Sequence, residues 1–195
     1  MKTNVKFAKV RPDAKIPSKR VEDMGFDIYA CFDEDYIAIS PHETKLIPTG
    51  IASSCDPEYG FILRERGSTG SKGIALRCGV IDSGYRSEWF IGLTNTTDKD
   101  IFISKISPEE LYDREFPEGF QEFEHIESSY GCSIAEYEVP IDRYDEFVLV
   151  YPYTKAIAQA LVIPVPEVEV EELSYEVLQA IPSERGLGAL GSSGK

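Results

Sequence analysis

The sequence predicts an all-β fold, because short β-prone runs alternate with turn residues along most of the chain. Pro, Gly, Asp and Ser interrupt these runs at the spacing typical of a barrel or sandwich, and neither a βαβ alternation nor an internal repeat is present. The predicted strands lie within Asn4–Val10, Gly25–Ala30, Tyr36–Ile39, Thr44–Ile47, Gly60–Leu63, Trp89–Thr94, Phe147–Tyr151 and Ile157–Val165.

The composition indicates one folded, acidic domain. The chain has 195 residues, of which 42% are hydrophobic, and its net charge is −14. This length fits a single domain that carries an insertion, and the negative charge argues against a nucleic-acid partner. The longest apolar run, Ala156–Val165, is far shorter than the roughly 20 residues of a membrane span. No leader pattern opens the chain and the four cysteines form no C-x-x-C pair, so we expect a cytoplasmic protein.

One segment, residues 95–150, departs from the strand pattern. It holds 15 Asp and Glu residues and four Lys and Arg residues, which give it a net charge of −11, and it also holds nine aromatic residues. So many aromatic rings argue against a disordered linker. Ser107–Glu110 (SPEE) predicts the N-cap and first turn of a short helix, and Pro117 predicts the start of a second. We interpret 95–150 as a folded insertion between the strand-forming segments 1–94 and 151–183.

A candidate site for chemistry is Cys78–Trp89 (CGVIDSGYRSEW). The apolar residues Val80 and Ile81 lead into Asp82, and the Ser-Gly pair that follows favours a tight turn. The segment therefore predicts a hairpin with Asp82 and Tyr85 close together at its tip. A carboxylate there can accept a proton from water, and a tyrosine ring can pack against a base or sugar. Taken alone, the segment fits an ordinary surface turn as well.

Three further segments have a weaker signal when each is taken alone. In Arg64–Gly73 (RERGSTGSKG), backbone N–H groups with Arg66 and Lys72 could cradle a polyphosphate, although the spacing is not that of a Walker loop. Asp27 and Gln159 are polar residues inside apolar strand segments, where a structural hydrogen bond is the common reason. The C-terminal residues 184–195 are glycine-rich, which is typical of a disordered tail.

In this order, the five segments resemble the five motifs of the trimeric dUTPases (deoxyuridine triphosphate nucleotidohydrolases). The family motifs run A-G-x-D, P-R-S-x-x-x-x-K, G-x-I-D-x-x-Y, R-I-A-Q and R-G-x-G-G-F-G-S-S/T-G. In this chain they read Met24–Asp27 (MGFD), Glu65–Lys72 (ERGSTGSK), Gly79–Tyr85 (GVIDSGY), Ala156–Gln159 (AIAQ) and Arg185–Gly194 (RGLGALGSSG). The third and fifth motifs are the most specific. Some phage-type dUTPases also resemble this chain in carrying extra sequence between motifs three and four, which would give it a viral origin and a place in the host cytoplasm.

The chain departs from the family pattern at several motif positions. Gly67 stands where the family has a phosphate-binding Ser, and Ser68 follows one position later. Ala156 replaces the Arg of the fourth motif. Leu190 replaces the Phe that stacks on uracil in the fifth motif.

The resemblance implies a jelly-roll-like β-barrel that forms a homotrimer and hydrolyses dUTP to dUMP and pyrophosphate with Mg²⁺, which limits uracil in DNA and supplies dUMP. It implies that Asp82 is the base that activates water, that Asp27 at most contacts hydrated Mg²⁺ through water, and that the arm 184–195 closes an active site. The substrate-binding residues that it implies are Arg66, Gly67, Ser68, Gly79, Val80, Ile81, Tyr85, Gln159, Arg185, Leu190, Gly191 and Ser192.

Two other functions stay open at this point. A dCTP deaminase or its bifunctional relative shares the fold, but it needs a carboxylic proton shuttle in the base pocket and is not expected to carry the glycine-rich arm. A regulatory member of the family could instead bind a protein partner through residues 95–150.

Overall fold

Strands form most of the regular structure in the residues that the computed structural model describes, which are 3–117, 119–128, 131–139, 141–184 and 186. In chain order the strands are β1 (Lys6–Lys9), β2 (Phe26–Ile28), β3 (Tyr36–Ile39), β4 (Thr44–Pro48), β5 (Ile51–Ser54), β6 (Tyr59–Arg64), β7 (Ile74–Arg77), β8 (Val80–Ile81), β9 (Phe90–Asn95), β10 (Asp100–Ser104), β11 (Phe120–Ser128), β12 (Gly131–Val139), β13 (Val148–Pro152) and β14 (Ala158–Pro164). The helices are α1 (Gly67–Gly70), α2 (Pro108–Glu115), α3 (Tyr175–Ala180) and a 3₁₀ helix, Ile141–Glu146. The predicted all-β class is therefore confirmed.

The strands form five hydrogen-bonded sheets, with the orders β2-β14-β6-β8, β4-β9-β7, β13-β10-β3, β1-β5 and β11-β12. Paired strands are antiparallel except for β10 and β13, which are parallel. In the described ranges no ladder joins one of these sheets to the next. In the described residues the ladders do not close into a barrel, and the all-β fold is built from separate sheets.

The main core of the chain up to Val165 is built from buried side chains of these strands. Ile47 on β4 and Ile91 on β9 are register partners, and both are fully buried. The indole of Trp89 is also fully buried, with its ring centroid 5.0 Å from that of Phe61 and 5.8 Å from that of Phe7. Burial alternates along β5, which therefore places one face against the core, whereas β9 is buried on both faces from Ile91 to Asn95.

A second, smaller core forms where the acidic segment leaves and rejoins the sheets. Buried Phe102, Leu111 and Val148 pack together there, and the Tyr112 and Tyr144 rings meet edge to face at 4.9 Å. α2 begins as the sequence predicts, because the Ser107 hydroxyl accepts a hydrogen bond from the Glu110 N–H at 3.2 Å. Part of the aromatic content of 95–150 is therefore buried against the body of the protein.

The parallel pairing of β10 with β13 explains why the chain needs a long connection at this point. Parallel neighbours cannot be joined by a tight turn, and here α2, the β11–β12 hairpin and the 3₁₀ helix lie between the two strands. β10 also pairs with β3, so both ends of the predicted insertion 95–150 contain sheet strands. The division into 1–94 with 151–183, 95–150 and 184–195 stays a prediction.

The predicted strands all overlap strands in the structure, and the differences are strands that were missed and one helix. All eight predicted runs overlap β1, β2, β3, β4, β6, β9, β13 or β14. The helix predicted from Pro117 is wrong, because the chain enters β11 at Phe120 and pairs with β12. Six strands were not among the predicted runs: β5, β7, β8, β10, β11 and β12.

The chain from Pro166 onwards is a separate unit with one described helix. α3 begins at Ser174, whose hydroxyl accepts from the Val177 N–H at 3.4 Å. In the described part of the chain no helix combines the length and the apolar character needed to cross a membrane.

The burial of Leu111 predicts that α2 stabilises the fold through the second core. Leu111→Ala should lower the free energy of unfolding by about 2–4 kcal/mol, because it leaves a cavity beneath the helix. Urea denaturation followed by tryptophan fluorescence measures this change. The matched control is Asp113→Ala on the exposed face of α2, which should change stability by less than about 0.5 kcal/mol; equal effects of the two changes would contradict the packing role of Leu111.

Candidate functional site

A turn at Asp82 is present, but the predicted hairpin is wrong, because β8 before the turn pairs with β6 whereas β9 after it pairs with β4 and β7. β8 pairs with β6 through Ile81 opposite Phe61, and the Gly79 carbonyl accepts a hydrogen bond from the Leu63 N–H at 2.7 Å. A Cβ at Gly79 would lie 3.1 Å from the Leu63 carbonyl oxygen, so a glycine allows this close approach. The strand that leads into the turn is therefore anchored on its inner side.

The turn itself presents a carboxylate and a tyrosine next to each other. The Tyr85 N–H donates to the Asp82 carbonyl at 3.1 Å, which closes a turn over Ser83 and Gly84. Both Asp82 and Tyr85 are exposed, and the Tyr85 hydroxyl donates to the Glu88 carbonyl at 3.1 Å. The Asp82 carboxylate is thus open to solvent while the Tyr85 ring is held in one orientation.

A small cavity of about 110 Å³ lies beside this turn. Val80, Ile81 and Asp82 form one side of it, and Tyr59 and Ile163 lie on another. Its volume is below the roughly 300 Å³ of a typical small-molecule pocket. The cavity in one chain therefore has space for only part of a nucleotide.

A larger cavity of about 530 Å³ brings three of the predicted residues together. Asp27, Arg66 and Gln159 line it, and the loop from Ser18 to Met24 contributes much of the remaining wall. Asp27 and Gln159 meet because they are register partners in β2 and β14. Strand pairing therefore places side chains that are more than 130 residues apart in sequence at one site.

Arg66 is held by Asp27 in a two-point contact. The Arg66 Nε lies 3.0 Å from Asp27 Oδ1, and one terminal guanidinium nitrogen donates to Asp27 Oδ2 at 3.3 Å. Each side chain is about one third exposed. The pair fixes the guanidinium plane at the cavity wall, which suits a residue that must present N–H groups to an anion.

Gln159 is held by the backbone of the Gly- and Ser-rich loop. Its Nε2 donates to the Glu65 carbonyl at 2.9 Å. Gly25 packs against the Gln159 side chain, and a Cβ at Gly25 would lie 3.0 Å from Gln159 Oε1. The first and fourth sequence segments therefore act together to orient one amide group.

The loop that follows Arg66 is short and internally bonded. The Thr69 hydroxyl accepts from the Arg66 N–H at 3.1 Å and donates to the Arg66 carbonyl at 3.0 Å, while Gly67 and Ser68 are exposed. A Cβ at Gly67 would meet no atom within 4 Å, so space does not explain why glycine replaces the family's serine there.

Glu65 is a residue that sequence reasoning did not single out. Its carboxylate accepts from the Leu76 N–H at 3.0 Å, and this bond, with that from its own N–H, lowers the pKa of the Glu65 carboxyl. The bond therefore stabilises the folded loop fully at pH values above the ordinary Glu pKa of about 4.3. This stabilisation is lost as the pH falls through the lower pKa that Glu65 has in the folded state.

The loop of residues 18–24 was also missed, although it borders the larger cavity. Arg20 forms a two-point ion pair with Asp23, at 3.0 and 2.9 Å, and Lys19 is hydrogen-bonded to backbone carbonyls of the same loop. The sequence feature that could have indicated this loop is the adjacent basic pair Lys19 and Arg20, which lies just before the first motif. Arg185, Leu190, Gly191 and Ser192 lie outside the described residues.

The described residues contain no group of three His, Cys, Asp or Glu side chains that could hold a metal ion. Both carboxylate oxygens of Asp27 contact Arg66. A protein cage for a dehydrated cation is therefore not built in this part of the chain. The donor set fits Mg²⁺ only as that ion is often bound, through substrate phosphates and retained waters.

Comparison with known proteins identifies the family. The dUTPase family model matches residues 13–107. A deoxyuridine 5'-triphosphate nucleotidohydrolase of Leptospira interrogans is 34% identical over 99 residues, covering 49% of this chain and 68% of that protein. A protein of the same name from Psychrobacter sp. is 39% identical over 103 residues, covering 49% of this chain and 66% of that protein.

Solved structures share the fold at lower sequence identity. A mutant of the Staphylococcus bacteriophage 80alpha dUTPase with dUpNHpp has a TM-score of 0.65 and 21% identity, covering 98% of this chain and 99% of that chain. The dUTPase from phage phi11 of S. aureus, described as having a species-specific insert, has a TM-score of 0.56 and 18% identity, covering 88% of this chain and 96% of that chain.

These matches define the class of protein as an all-β, jelly-roll-like nucleotide hydrolase, and the predicted fold class is confirmed. The chain belongs to the dUTPase family, and its enzyme class is dUTP diphosphatase. The family match ends at Ser107, which is the N-cap of α2 and the point where the chain leaves the sheet.

The contact between Gly25 and Gln159 predicts a specific defect. Gly25→Ala should displace the Gln159 amide and weaken binding of dUpNHpp about 2- to 10-fold, the range for one hydrogen bond. Calorimetric titration measures this affinity, and circular dichroism checks the fold. The control is Gly70→Ala, whose Cβ would meet its nearest atom at an ordinary 3.7 Å and should bind normally; normal binding by Gly25→Ala would remove Gln159 from the site.

Proposed function

We propose that this protein hydrolyses dUTP to dUMP and pyrophosphate with Asp82 as the general base. The observation that carries the proposal is the turn anchored on β6, which places Asp82 at the edge of a cavity and closes with a hydrogen bond from the Tyr85 N–H to the Asp82 carbonyl. It occurs within the part of the chain that the dUTPase family model matches.

The reaction uses the carboxylate to activate water. Asp82 accepts a proton from water as the water oxygen bonds to the α-phosphorus, and the bond from that phosphorus to the bridging oxygen breaks. Pyrophosphate leaves with the electron pair of the broken bond, and dUMP remains. The Asp82 side chain is exposed, so water can reach it.

The backbone of β8 recognises the nucleobase. β8 is the last strand of its sheet, so the N–H and C=O groups on its outer edge have no neighbouring strand in the described residues. The backbone of Gly79, Val80 and Ile81 can therefore pair with the edge of uracil as an added strand would. A site that hydrogen-bonds one base edge rejects other bases strongly, because a mismatch leaves its polar groups unpaired.

The sugar is selected by Tyr85. The ring is tethered through its hydroxyl to the Glu88 carbonyl, and it remains 40% exposed. A fixed ring at this position packs against deoxyribose and leaves no room for a 2′-hydroxyl.

The triphosphate binds at the larger cavity. Arg66 donates from its guanidinium, Gly67 and Ser68 from the exposed start of the loop, and Gln159 from its amide. When bound, Mg²⁺ supplies charge neutralisation at the phosphate oxygens. Asp27 orients Arg66 and at most contacts the hydrated ion through water.

The complete site draws on more than one copy of the chain. Asp82 lines the small cavity, whereas Arg66 and Gln159 line a different cavity of the same chain. We propose a homotrimer in which one copy presents the base and sugar site and a neighbour presents the phosphate site. The arm 184–195 then closes over the nucleotide through Arg185, Leu190, Gly191 and Ser192, which excludes water.

A test of the base is Asp82→Asn, which removes the proton acceptor and keeps the size of the side chain. Turnover of dUTP should fall by about 100-fold or more, while dUpNHpp still binds. Pyrophosphate release with each deoxynucleoside triphosphate, with and without Mg²⁺, measures turnover and specificity. The control is Asp56→Asn, an exposed carboxylate outside both cavities, which should retain activity; near-normal turnover in Asp82→Asn would eliminate the proposed base.

The same assay separates this proposal from the alternatives. A dCTP deaminase would liberate ammonia from dCTP, and a regulatory protein without catalysis would release no pyrophosphate from dUTP. Either result would replace the proposed function.

The acidic hairpin β11–β12 is proposed as a surface for a protein partner and not as part of the active site. Within the described ranges it pairs only with itself, and residues 119–139 hold five glutamates and no lysine or arginine. Such a surface repels a polyanionic nucleotide. Replacing 119–139 by a short Gly/Ser linker should leave the KM for dUTP within a few-fold of normal. A large loss of activity in a variant that still folds would place the hairpin at the active site.

A further inference from the structure

The larger cavity contains three cations, and ion pairs within the chain cancel two of them. Arg66 is bound at two points by Asp27, and Arg20 is bound at two points by Asp23. A pair of this kind orients a guanidinium but leaves little net field at the site. The residues that dUTPase motifs supply at this cavity, Arg66, Asp27 and Gln159, therefore provide donors without net positive charge.

Lys19 is the third cation, and among the described residues no carboxylate is paired with it directly, although the Asp23 carboxylate interacts with it electrostatically at longer range. Its Nζ donates to the Asp23 carbonyl at 2.7 Å and to the Arg20 carbonyl at 3.2 Å, and it lies 5.8 Å from the centre of the Phe26 ring. These partners are neutral. Among the described residues, no carboxylate oxygen forms an ion pair with the Lys19 ammonium within 4.0 Å.

The two carbonyls also fix where the ammonium lies. A lysine ammonium has three N–H donors, and two of them are used within the loop. The third remains for a ligand, at a group that already lines the same cavity as Arg66 and Gln159. An ammonium held in this way loses less side-chain entropy on binding an anion than a free surface lysine does.

We propose that Lys19, which lies outside the five dUTPase motifs, is a further substrate-binding residue that supplies the unpaired positive charge for the triphosphate. This inference rests on the proposed hydrolysis of dUTP for its biological meaning. The chain as a whole carries a net charge of −14, so a local cation is needed to attract a polyanion to this cavity.

A matched pair of variants tests the proposal. Lys19→Met and Lys15→Met each remove one positive charge from the same N-terminal segment. Lys15 does not line the cavity, and its Nζ lies 3.6 Å from the centre of the Tyr29 ring. Lys19→Arg retains the charge with a different geometry.

The probes are inorganic tripolyphosphate, measured by calorimetry, and dUTP, measured by steady-state kinetics. Lys19→Met should weaken tripolyphosphate binding about 10-fold and raise the KM for dUTP by a similar factor, as expected for one charge-assisted hydrogen bond. The kcat should change much less. Lys15→Met should stay within about twofold of the unmodified protein, as exposed charges away from a site do, and Lys19→Arg should recover most of the lost affinity.

The salt dependence distinguishes a charge effect from a structural one. The difference between the unmodified protein and Lys19→Met should shrink as ionic strength rises from about 0.05 to 0.3 M, because salt screens an exposed charge. If the loss of tripolyphosphate affinity is independent of salt and Lys19→Arg does not restore it, then Lys19 serves only the folding of its loop. That result would overturn the proposal.

Two further outcomes separate this inference from the proposed function. The role of Lys19 would be overturned if Lys19→Met and Lys15→Met bind tripolyphosphate with equal affinity. It would also be overturned if the unmodified protein does not bind tripolyphosphate, whatever the turnover of dUTP. Binding of tripolyphosphate that depends on Lys19, in a protein that does not hydrolyse dUTP, would support the phosphate site and overturn the proposed reaction.

Discussion

The pairing of β14 with two neighbours at once is the constraint on which the rest of the site depends. β14 lies between β2 and β6, and its register sets Gln159 opposite Asp27 on one side and Arg64 on the other. Ala158 and Ala160 on either side of Gln159 are fully buried. A slip of one residue would bury the amide and expose the alanines, so the packing that stabilises the strand also fixes the direction of its one polar side chain.

In the larger cavity, the arginines provide rigid hydrogen-bond donors and a lysine provides electrostatic attraction for an anion. Arg66 and Arg20 are oriented by carboxylates, which makes their N–H groups well placed but reduces their long-range field. Lys19 is oriented by carbonyl groups instead, so its position is fixed and its charge is retained. A guanidinium paired with a carboxylate attracts a polyanion less than an unpaired ammonium does. In a chain as acidic as this one, that difference decides where a polyanion can approach.

The sequence predicted local structure well and long-range pairing poorly. The strand runs, the turn at Asp82 and the N-cap at Ser107 depend on residues within a few positions of one another, and all three are present. The parallel partnership of β10 and β13 has no local signature, since it joins strands on either side of a long insertion. In that insertion Pro117 was interpreted as a helix start, although tertiary pairing as a hairpin prevails.

The difficulty of predicting long-range pairing also explains which residues of the candidate site the sequence could indicate. Asp27, Arg66 and Gln159 were predicted as separate segments joined by resemblance to a family, and the pairing of β14 with its neighbours supplies the physical reason that they meet. Lys19 and Glu65 act through backbone groups of their neighbours. Such contacts depend on the folded path of the loop, so residue type and spacing do not reveal them.

The parallel pairing of β10 with β13 has a consequence for the order in which the protein can fold. The β3–β10 ladder can form once residue 104 has been synthesised, but the sheet gains its outer strand only when Val148 has emerged. During that interval the apolar face formed by Phe102 has no Val148 to cover it. Domains fold as units from the N-terminus during synthesis, and an exposed apolar edge favours aggregation. The acidic stretch between the two strands therefore emerges from the ribosome while that edge is open, and its negative charge keeps nascent chains apart.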